Sequence, residues 1–175
     1  KKIFKAADSQ VASRWGNIIE FPNFDLITPN EREARFALAD QDSTVGNLSS
    51  ILYEKTNYKN LIMKLGQKGV FCSSNSKNDN TYFSLDSFAN SIVDPVGAGD
   101  ALIAYSSLSL MMKEKLPVAS ILGSLAAAVE CELDGNIPVK VNDVLKKLNS
   151  LKQYIDKWKY LLLEMVPKEK KEYQT

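Results

Sequence analysis

The sequence of 175 residues contains no histidine. A Ser-His-Asp triad, a Cys-His pair and a zinc site with a histidine ligand are therefore excluded. Any proton transfer must rest on Asp, Glu, Lys, Tyr or Cys side chains. The lack of histidine is only weak support for a carboxylate base, because most domains without histidine are not enzymes of this kind.

Cysteine, net charge and long apolar runs are also scarce. Cys72 and Cys131 have no paired spacing, which indicates buried thiols in a reducing compartment. The 22 basic and 21 acidic residues nearly cancel, so no overall field attracts nucleic acid or a membrane. No apolar run approaches the roughly 20 residues of a membrane span, and the polar start KKIFKAAD does not resemble a signal peptide. We expect a cytoplasmic protein with one sizeable core.

The most informative segment that is present is IVDPVGAGDALIA, residues 92–104. Its small residues Gly97, Ala98 and Gly99 allow a backbone turn to approach an anion closely, and the following helix would point free N–H groups at that anion. Asp100 is suited to accept a proton from an attacking hydroxyl. The alternative is a plain helix start, with Asp100 as a favourable capping charge.

Apolar runs typical of strands alternate with helical patterns, which predicts an α/β fold with a mainly parallel sheet. The polar segment 75–80 is predicted to be a surface turn. An amphipathic stripe through Val144, Leu145 and Leu148 predicts core or a partner surface. The predicted strands are 3–7, 26–28, 61–65, 70–74 and 82–85, and the predicted helices are 31–39, 45–56, 101–115, 118–133 and 142–164.

Four ordered motifs resemble those of the PfkB/ribokinase family of carbohydrate and nucleoside kinases. Asp94, Gly97, Ala98, Gly99 and Asp100 match its D-x-x-G-A-G-D signature. The segment LITPNEREA resembles the N-x-x-E motif, LIMKLGQKGVF resembles the G-x-x-G nucleotide loop, and LGSLAAAVECELDGNIP resembles the small-residue helix behind the adenine. The amino-acid sequences of these segments most resemble those of the heptose-phosphate kinase subgroup.

The resemblance implies a ribokinase-like α/β fold, with a mainly parallel sheet flanked by helices on both faces. It begins in the middle of the family's domain, so the N-terminal half and its lid are not represented. We expect residues 1–165 to form the C-terminal nucleotide-binding part and residues 166–175 to form a charged tail. The implied activity is ATP-dependent, Mg²⁺-assisted phosphoryl transfer to a hydroxyl of a sugar or sugar phosphate.

The resemblance also implies the site residues. Asp100 would be the catalytic base, and the backbone of Gly97, Ala98 and Gly99 would form the anion hole. The residues expected to bind the nucleotide are Asn30, Lys64, Gly66, Gly69, Ser124 and Ala127. Each group has a structural alternative: a simple hairpin turn for the two loop glycines, and close helix packing for Ser124 and Ala127.

Metal sites are implied as well. Asn30 and Glu33 would order Mg²⁺ through water, although the same pair can form a helix capping box. Asp94, Val96 and Gly135 would contribute to a monovalent cation site for K⁺, although Val139 stands where relatives often have a hydroxyl. The alternative for Asp94 is a cap on the following turn.

The expected partners are the sugar substrate and either the missing N-terminal half or a partner chain, with a homo-oligomer as a further alternative. A different class of function stays open at this point. The chain would then be a catalytically silent nucleotide-binding or interaction module that has kept the kinase fold.

Overall fold

The computed structural model describes residues 3–9, 17–76, 79–135 and 137–165, without the side chains of residues 75–80 and 154–165. The predicted tail, 166–175, lies outside the described residues. The chain divides into two compact units, Lys1–Val139 and Lys140–Thr175. No helix among the described residues has both the length and the apolar character needed to cross a membrane.

The described residues of the first unit form one five-stranded sheet in the order β1-β2-β3-β4-β5. Strands β1, β2 and β3 pair in parallel, whereas β3 with β4 and β4 with β5 pair antiparallel. The strands are β1 (Ala6–Ala7), β2 (Leu26–Ile27), β3 (Asn60–Lys64), β4 (Val70–Ser76) and β5 (Asp79–Leu85).

The α/β class is thus confirmed, but the sheet is mixed and not mainly parallel. Parallel neighbours need a long crossover connection, while antiparallel neighbours can be joined by a short turn. Only residues 65–69 separate β3 from β4, so this pair must be antiparallel. The turn predicted over 75–80 is also too long, because Ser76 and Asp79 still pair as cross-strand partners. Strands pair through backbone hydrogen bonds, which do not require apolar side chains. The polar residues of 75–80 therefore gave no sequence signal for these strand ends.

The helices are α1 (Glu31–Leu38), α2 (Val45–Thr56), α3 (Ala98–Met111) and α4 (Leu116–Cys131), followed in the second unit by α5 (Val141–Met165). Local signals set their ends. Thr44 caps α2, whose last turn closes on Asn57 in the left-handed region at φ +49°. In α5, Leu145 and Leu148 are 49% and 40% exposed, and the interpretation of the stripe as core or partner surface stays a prediction.

Two apolar clusters cover the two faces of the sheet. Alternate residues of β3 divide between them, with Leu61 and Met63 in one cluster and Ile62 in the other. The first cluster includes residues of α1 and α2, and the second includes residues of α3 and α4. The predicted arrangement of helices on both faces is therefore confirmed.

The parallel strands end at one edge of the sheet, and this edge positions the polar residues that follow them. Asp8 follows β1, Asn30 follows β2, and Lys64 is the last residue of β3. Asn30 and Lys64 are bridged, and the Lys64 N–H donates to the Pro29 carbonyl at 2.9 Å. In open α/β sheets, ligands bind outside the carboxyl ends of the strands.

Candidate functional site

A cavity of about 570 Å³ opens at this edge, between the β3–β4 turn and helices α3 and α4. All six residues that the sequence predicts for nucleotide binding line this cavity, and they come from three separate motifs. The glycine signature is a fourth motif that contributes to the lining. The lining residues are Asn30, Lys64, Gly66, Gln67, Gly69, Val70, Ser87, Phe88, Ala89, Ile92, Pro95, Ala98, Gly99, Leu102, Ser124, Ala127, Ala128 and Cys131. A volume of this size suits a small organic ligand.

At one wall of the cavity, Lys64 forms an ion pair with Asp8. The Lys64 Nζ lies 2.7 Å from Asp8 Oδ2 and 2.8 Å from Oδ1. Both side chains are about one-fifth exposed, at 21% and 23%. The pair touches the first turn of α3, because a Cβ added at Gly99 would lie 3.2 Å from the ammonium.

Sequence reasoning did not find Asp8, because none of the four family motifs includes it. A signal was nevertheless present, since an acidic residue directly after an apolar strand is placed at the ligand-binding edge of a parallel sheet. The neighbouring Ser9 was missed in the same way. Its N–H donates to Asp8 Oδ1 at 3.0 Å, and its hydroxyl donates to Glu33 Oε2 at 3.0 Å.

Asn30 and Glu33 form a complete capping box at the start of α1. The Glu33 N–H donates to Asn30 Oδ1, and the Asn30 N–H donates to Glu33 Oε2, both at 2.8 Å. The structural alternative for this pair is therefore present. The box leaves the metal role untested, because a carboxylate has two oxygens and accepts several bonds. Asn30 lines the cavity, whereas Glu33 is buried and is not among the lining residues.

The glycine signature forms the N-terminus of α3. Gly97 is the N-cap residue at φ +86°, a conformation that favours glycine, and its carbonyl accepts the Ala101 N–H at 2.9 Å. Ala98 and Gly99 line the cavity, whereas Gly97 and Asp100 do not. Asp100 is an exposed residue of the first helical turn. It is therefore not the N-cap residue, and its interaction with the helix is that of an acidic side chain near the positive end of the dipole.

The loop glycines Gly66 and Gly69 bound a short 3₁₀ turn between β3 and β4. The hairpin alternative is thus correct, and both glycines also line the cavity. The two interpretations are compatible, because one tight turn exposes its backbone to the open space beside it.

Helix α4 carries small residues on two faces with different uses. Gly123 packs against α3, where an added Cβ would lie 2.1 Å from Ser106 Oγ and 2.9 Å from the Leu102 carbonyl oxygen. The stripe of Ser124, Ala127, Ala128 and Cys131 faces the cavity instead. Ser124 is 8% exposed, and its Oγ has no hydrogen-bond partner in the part of the chain described. Close helix packing therefore accounts for Gly123. Ala127 both lines the cavity and packs against the cluster that includes Leu102, so the packing alternative stays open for the stripe.

The residues expected to bind a monovalent cation lie in two irregular segments, with Asp94 and Val96 before α3 and Gly135 after α4. Asp94 Oδ1 accepts the Val96 N–H at 2.9 Å, which is the turn-capping alternative. The N–H groups of Val93 and Asp94 donate to the Cys131 carbonyl at 2.8 and 3.2 Å, and the Tyr105 hydroxyl donates to the Val139 carbonyl at 3.0 Å. Across the residues described, no group of three or more Asp, Glu, Cys or His side chains is arranged to hold a metal.

Both thiols have a raised pKa. Burial raises the pKa of Cys72 to about 12, and its Sγ donates to Ser120 Oγ at 3.2 Å. Burial also raises the pKa of Cys131, assisted by the negative charges of Glu130, Glu132 and Asp94. Cys131 in the cavity wall is therefore a protonated, uncharged thiol at neutral pH.

The model of the pfkB family carbohydrate kinases matches residues 8–140, which is most of the chain and includes every element of the cavity. The chain belongs to this family. A curated relative, the 2-dehydro-3-deoxygalactonokinase of Haloferax volcanii, is 23% identical over 128 residues, which cover 73% of this chain and 39% of the relative.

Solved structures of the family are similar in fold. Phosphofructokinase-2 from Escherichia coli, in complex with potassium, has a TM-score of 0.66 and 18% identity over 77% of this chain and 43% of its own. Ribokinase from Arabidopsis thaliana, complexed with ribose and ATP, has a TM-score of 0.61 and 22% identity over 71% of this chain and 41% of its own. The pfkB chain described here thus has the ribokinase-like fold and spans about two-fifths of the length of these relatives.

Proposed function

We propose that this chain supplies the nucleotide site and the catalytic base for phosphoryl transfer from ATP to a hydroxyl of a sugar or sugar phosphate. One observation carries the proposal. The six residues predicted to bind nucleotide, from three separate motifs, line a single cavity, together with the first turn of α3. A helix N-terminus beside a lysine suits a polyphosphate, and a stripe of small residues suits a flat base.

ATP and Mg²⁺ are the cofactors that family membership favours. The absence of a Cβ at Gly99 leaves room for a phosphate oxygen beside Lys64, because a larger residue would fill that space. Asn30 and Glu33 present hard oxygen atoms at the same edge, which suits Mg²⁺ held through water. When bound, Mg²⁺ would neutralise charge on the transferred phosphoryl group.

K⁺ is an accessory element of the proposal. Asp94, Val96 and Gly135 offer one carboxylate and backbone carbonyls, which are ligand types that suit K⁺. The Val139 carbonyl is already engaged by Tyr105. The structure of Escherichia coli phosphofructokinase-2 was solved in complex with potassium, and this observation describes that protein and not the present chain. K⁺ is accordingly proposed to stimulate the reaction without being required for nucleotide binding.

Asp100 is proposed as the base that accepts the proton of the acceptor hydroxyl. Its carboxylate is exposed beside the α3 N-terminus, so an acceptor placed there would be near both the base and the anion site. The anion hole, formed by the backbone of Gly97, Ala98 and Gly99, would stabilise charge developing on the phosphoryl group.

The acceptor is proposed to be a sugar or sugar phosphate, with heptose phosphate as the finer hypothesis from the sequence. We further propose that a segment or partner outside this chain completes the acceptor site. Two observations support this: the chain spans about two-fifths of its relatives, and Asp100 does not line the cavity. The edge strand β1 offers a backbone for such a partner to pair with.

A catalytically silent nucleotide-binding module is the second candidate. It is favoured by the same exposure of Asp100, because an isolated base without a positioned acceptor accelerates little. This candidate retains the cavity but predicts no transfer to any sugar.

The test combines binding and transfer. Calorimetry with Mg-ATP should detect one site on the folded chain, and an assay with a panel of sugars and sugar phosphates, including a heptose phosphate, should detect ADP formation that requires an acceptor. Binding with acceptor-dependent turnover supports the kinase. Binding without turnover, by the chain alone and together with any proposed completing segment or partner, supports the silent module, and the absence of binding contradicts both.

A further inference from the structure

The cavity contains one charged side chain among its described lining residues, that of Lys64. Both Asp8 oxygens contact its ammonium, at 2.7 and 2.8 Å, so the pair carries no net charge. Lys64 lines the cavity, whereas Asp8 does not. A polyphosphate entering the cavity therefore meets a neutralised lysine with a carboxylate directly behind it.

The pair also lies against the anion-binding end of α3. A Cβ at Gly99 would come within 3.2 Å of Lys64 Nζ and 3.3 Å of Asp8 Oδ2. Both charges are therefore within a few ångströms of the place proposed for the phosphates. At that range and partial burial, the Asp8 charge cancels most of the attraction that Lys64 alone would exert on phosphate oxygens, and salt screens this effect little.

We propose that Asp8 is a positioning residue that makes nucleotide binding depend on a divalent cation. It holds the Lys64 ammonium at the mouth of α3, and its own charge disfavours metal-free ATP, whose phosphates carry the full negative charge. A nucleotide complexed with Mg²⁺ carries less negative charge and meets less repulsion. This inference rests on the proposed nucleotide site, and it assigns to Asp8 the discrimination between the two forms of the ligand.

The test is calorimetric binding of ATP in excess Mg²⁺ and of ATP in a chelator, on the whole chain. In Asp8→Asn, the affinity for metal-free ATP should rise about tenfold, as expected when one repulsive charge is removed at short range. The affinity for Mg-ATP should change by about threefold or less, because the metal already offsets part of the phosphate charge. The ratio of the two dissociation constants should therefore fall toward one.

A second variant should change the ratio of the two dissociation constants in the opposite direction. Lys64→Met leaves Asp8 without its counter-charge, so metal-free ATP should lose more affinity than Mg-ATP, and the ratio should rise. A loss of local structure would not move the ratio in opposite directions in the two variants. Asp143→Asn is the matched control, because it removes a carboxylate paired with Lys146 at 3.0 Å in α5, and its ratio should equal that of the wild type.

The outcomes separate the two proposals. If the wild-type chain binds neither form of ATP, the proposed function fails and this inference fails with it. If the wild type binds Mg-ATP, an unchanged ratio in Asp8→Asn, or an equal loss of both forms, overturns the role of Asp8 alone. Unfolding midpoints measured for each variant identify any change in stability.

Discussion

A Cβ added at Gly69 would lie 2.0 Å from the carbonyl oxygen of Leu85. Gly69 ends the β3–β4 turn at φ +87°, and Leu85 is the last residue of β5. The turn that borders the cavity can therefore pack against the end of the edge strand only because Gly69 has no side chain. This contact links the stability of the hairpin to the shape of the site.

Gly69→Ala should destabilise the fold by about 3 to 5 kcal/mol, because an unfavourable backbone conformation and a backbone clash add together. Gly66→Ala is the matched control in the same turn. It has φ +62° with no atom within 4 Å of the added Cβ, so about 1 kcal/mol is expected. Urea unfolding followed by circular dichroism measures both. Equal losses in the two variants would contradict the role given to the Leu85 contact.

Gly99→Val should abolish Mg-ATP binding while the chain stays folded. The side chain would occupy the space beside Lys64 and Asp8, where the phosphates are proposed to lie. Gly46→Val is the control, since Gly46 in α2 has no atom within 4 Å of an added Cβ and lies outside the cavity. Calorimetry should detect wild-type affinity in the control. Retained binding in a folded Gly99→Val chain would rule out this location for the phosphates.

Asp100→Asn should lower turnover by about 10²–10⁴-fold in the assembled, active enzyme, because the amide cannot accept the hydroxyl proton. Mg-ATP affinity should stay nearly constant, and stability should change by less than about 1 kcal/mol from the lost dipole interaction. The measurement is a comparison of kcat with the Kd of Mg-ATP and with the unfolding midpoint.

Asp143→Asn serves as the control for this substitution. Asp143 is likewise an acidic residue in the first turn of its helix, α5, so it reports the structural effect of such a change without a base being lost. Full turnover in a folded Asp100→Asn enzyme would remove Asp100 from the catalytic role.

Cys131 should react slowly with a thiol reagent, and Mg-ATP should slow it further by covering the cavity wall. Because its pKa is raised, the rate should keep increasing as the pH rises beyond the ordinary range of a cysteine titration. Cys72 is the internal control, since it is fully buried with a pKa of about 12 and should react only on unfolding. Mass spectrometry of the labelled chain distinguishes the two thiols. Equal labelling of Cys131 with and without nucleotide would place the ligand elsewhere.

The pH dependence of stability follows from Cys72. Its pKa is raised in the folded state from 9.0 to about 12, so the unfolded chain loses this proton first as the pH rises. The free energy of unfolding is therefore undiminished by this thiol below about pH 9 and decreases between about pH 9 and 12. Cys72→Ala should flatten this part of the stability profile, which urea unfolding at a series of pH values measures.

Much of the site was predictable because its signals are local. The capping box of Asn30 and Glu33 follows from two residues three positions apart, and the turn of Gly66 and Gly69 follows from the glycines themselves. The small-residue stripe that includes Ser124 and Ala127 has helical spacing, which places it on one face without knowledge of the neighbours.

The remaining features depend on residues far apart in the sequence. Asp8 and Lys64 are separated by 56 positions, so no local pattern predicts their ion pair. The assignment of Gly123 to the α3 contact and of Ser124 to the cavity depends on how two helices meet. The roles of Asp100 in catalysis and of Asp94 in cation binding stay predictions.

By itself, the sequence determined the α/β class, the starts of α1 and α2 and the four motifs, because backbone conformation, capping and hydrophobic periodicity act over a few residues. Only the tertiary structure decided the mixed strand order, the convergence of the motifs on one cavity and the neutralisation of Lys64 by Asp8. These features depend on pairing across the sheet and on electrostatic contacts at its edge, where the folded chain brings distant residues within bonding distance.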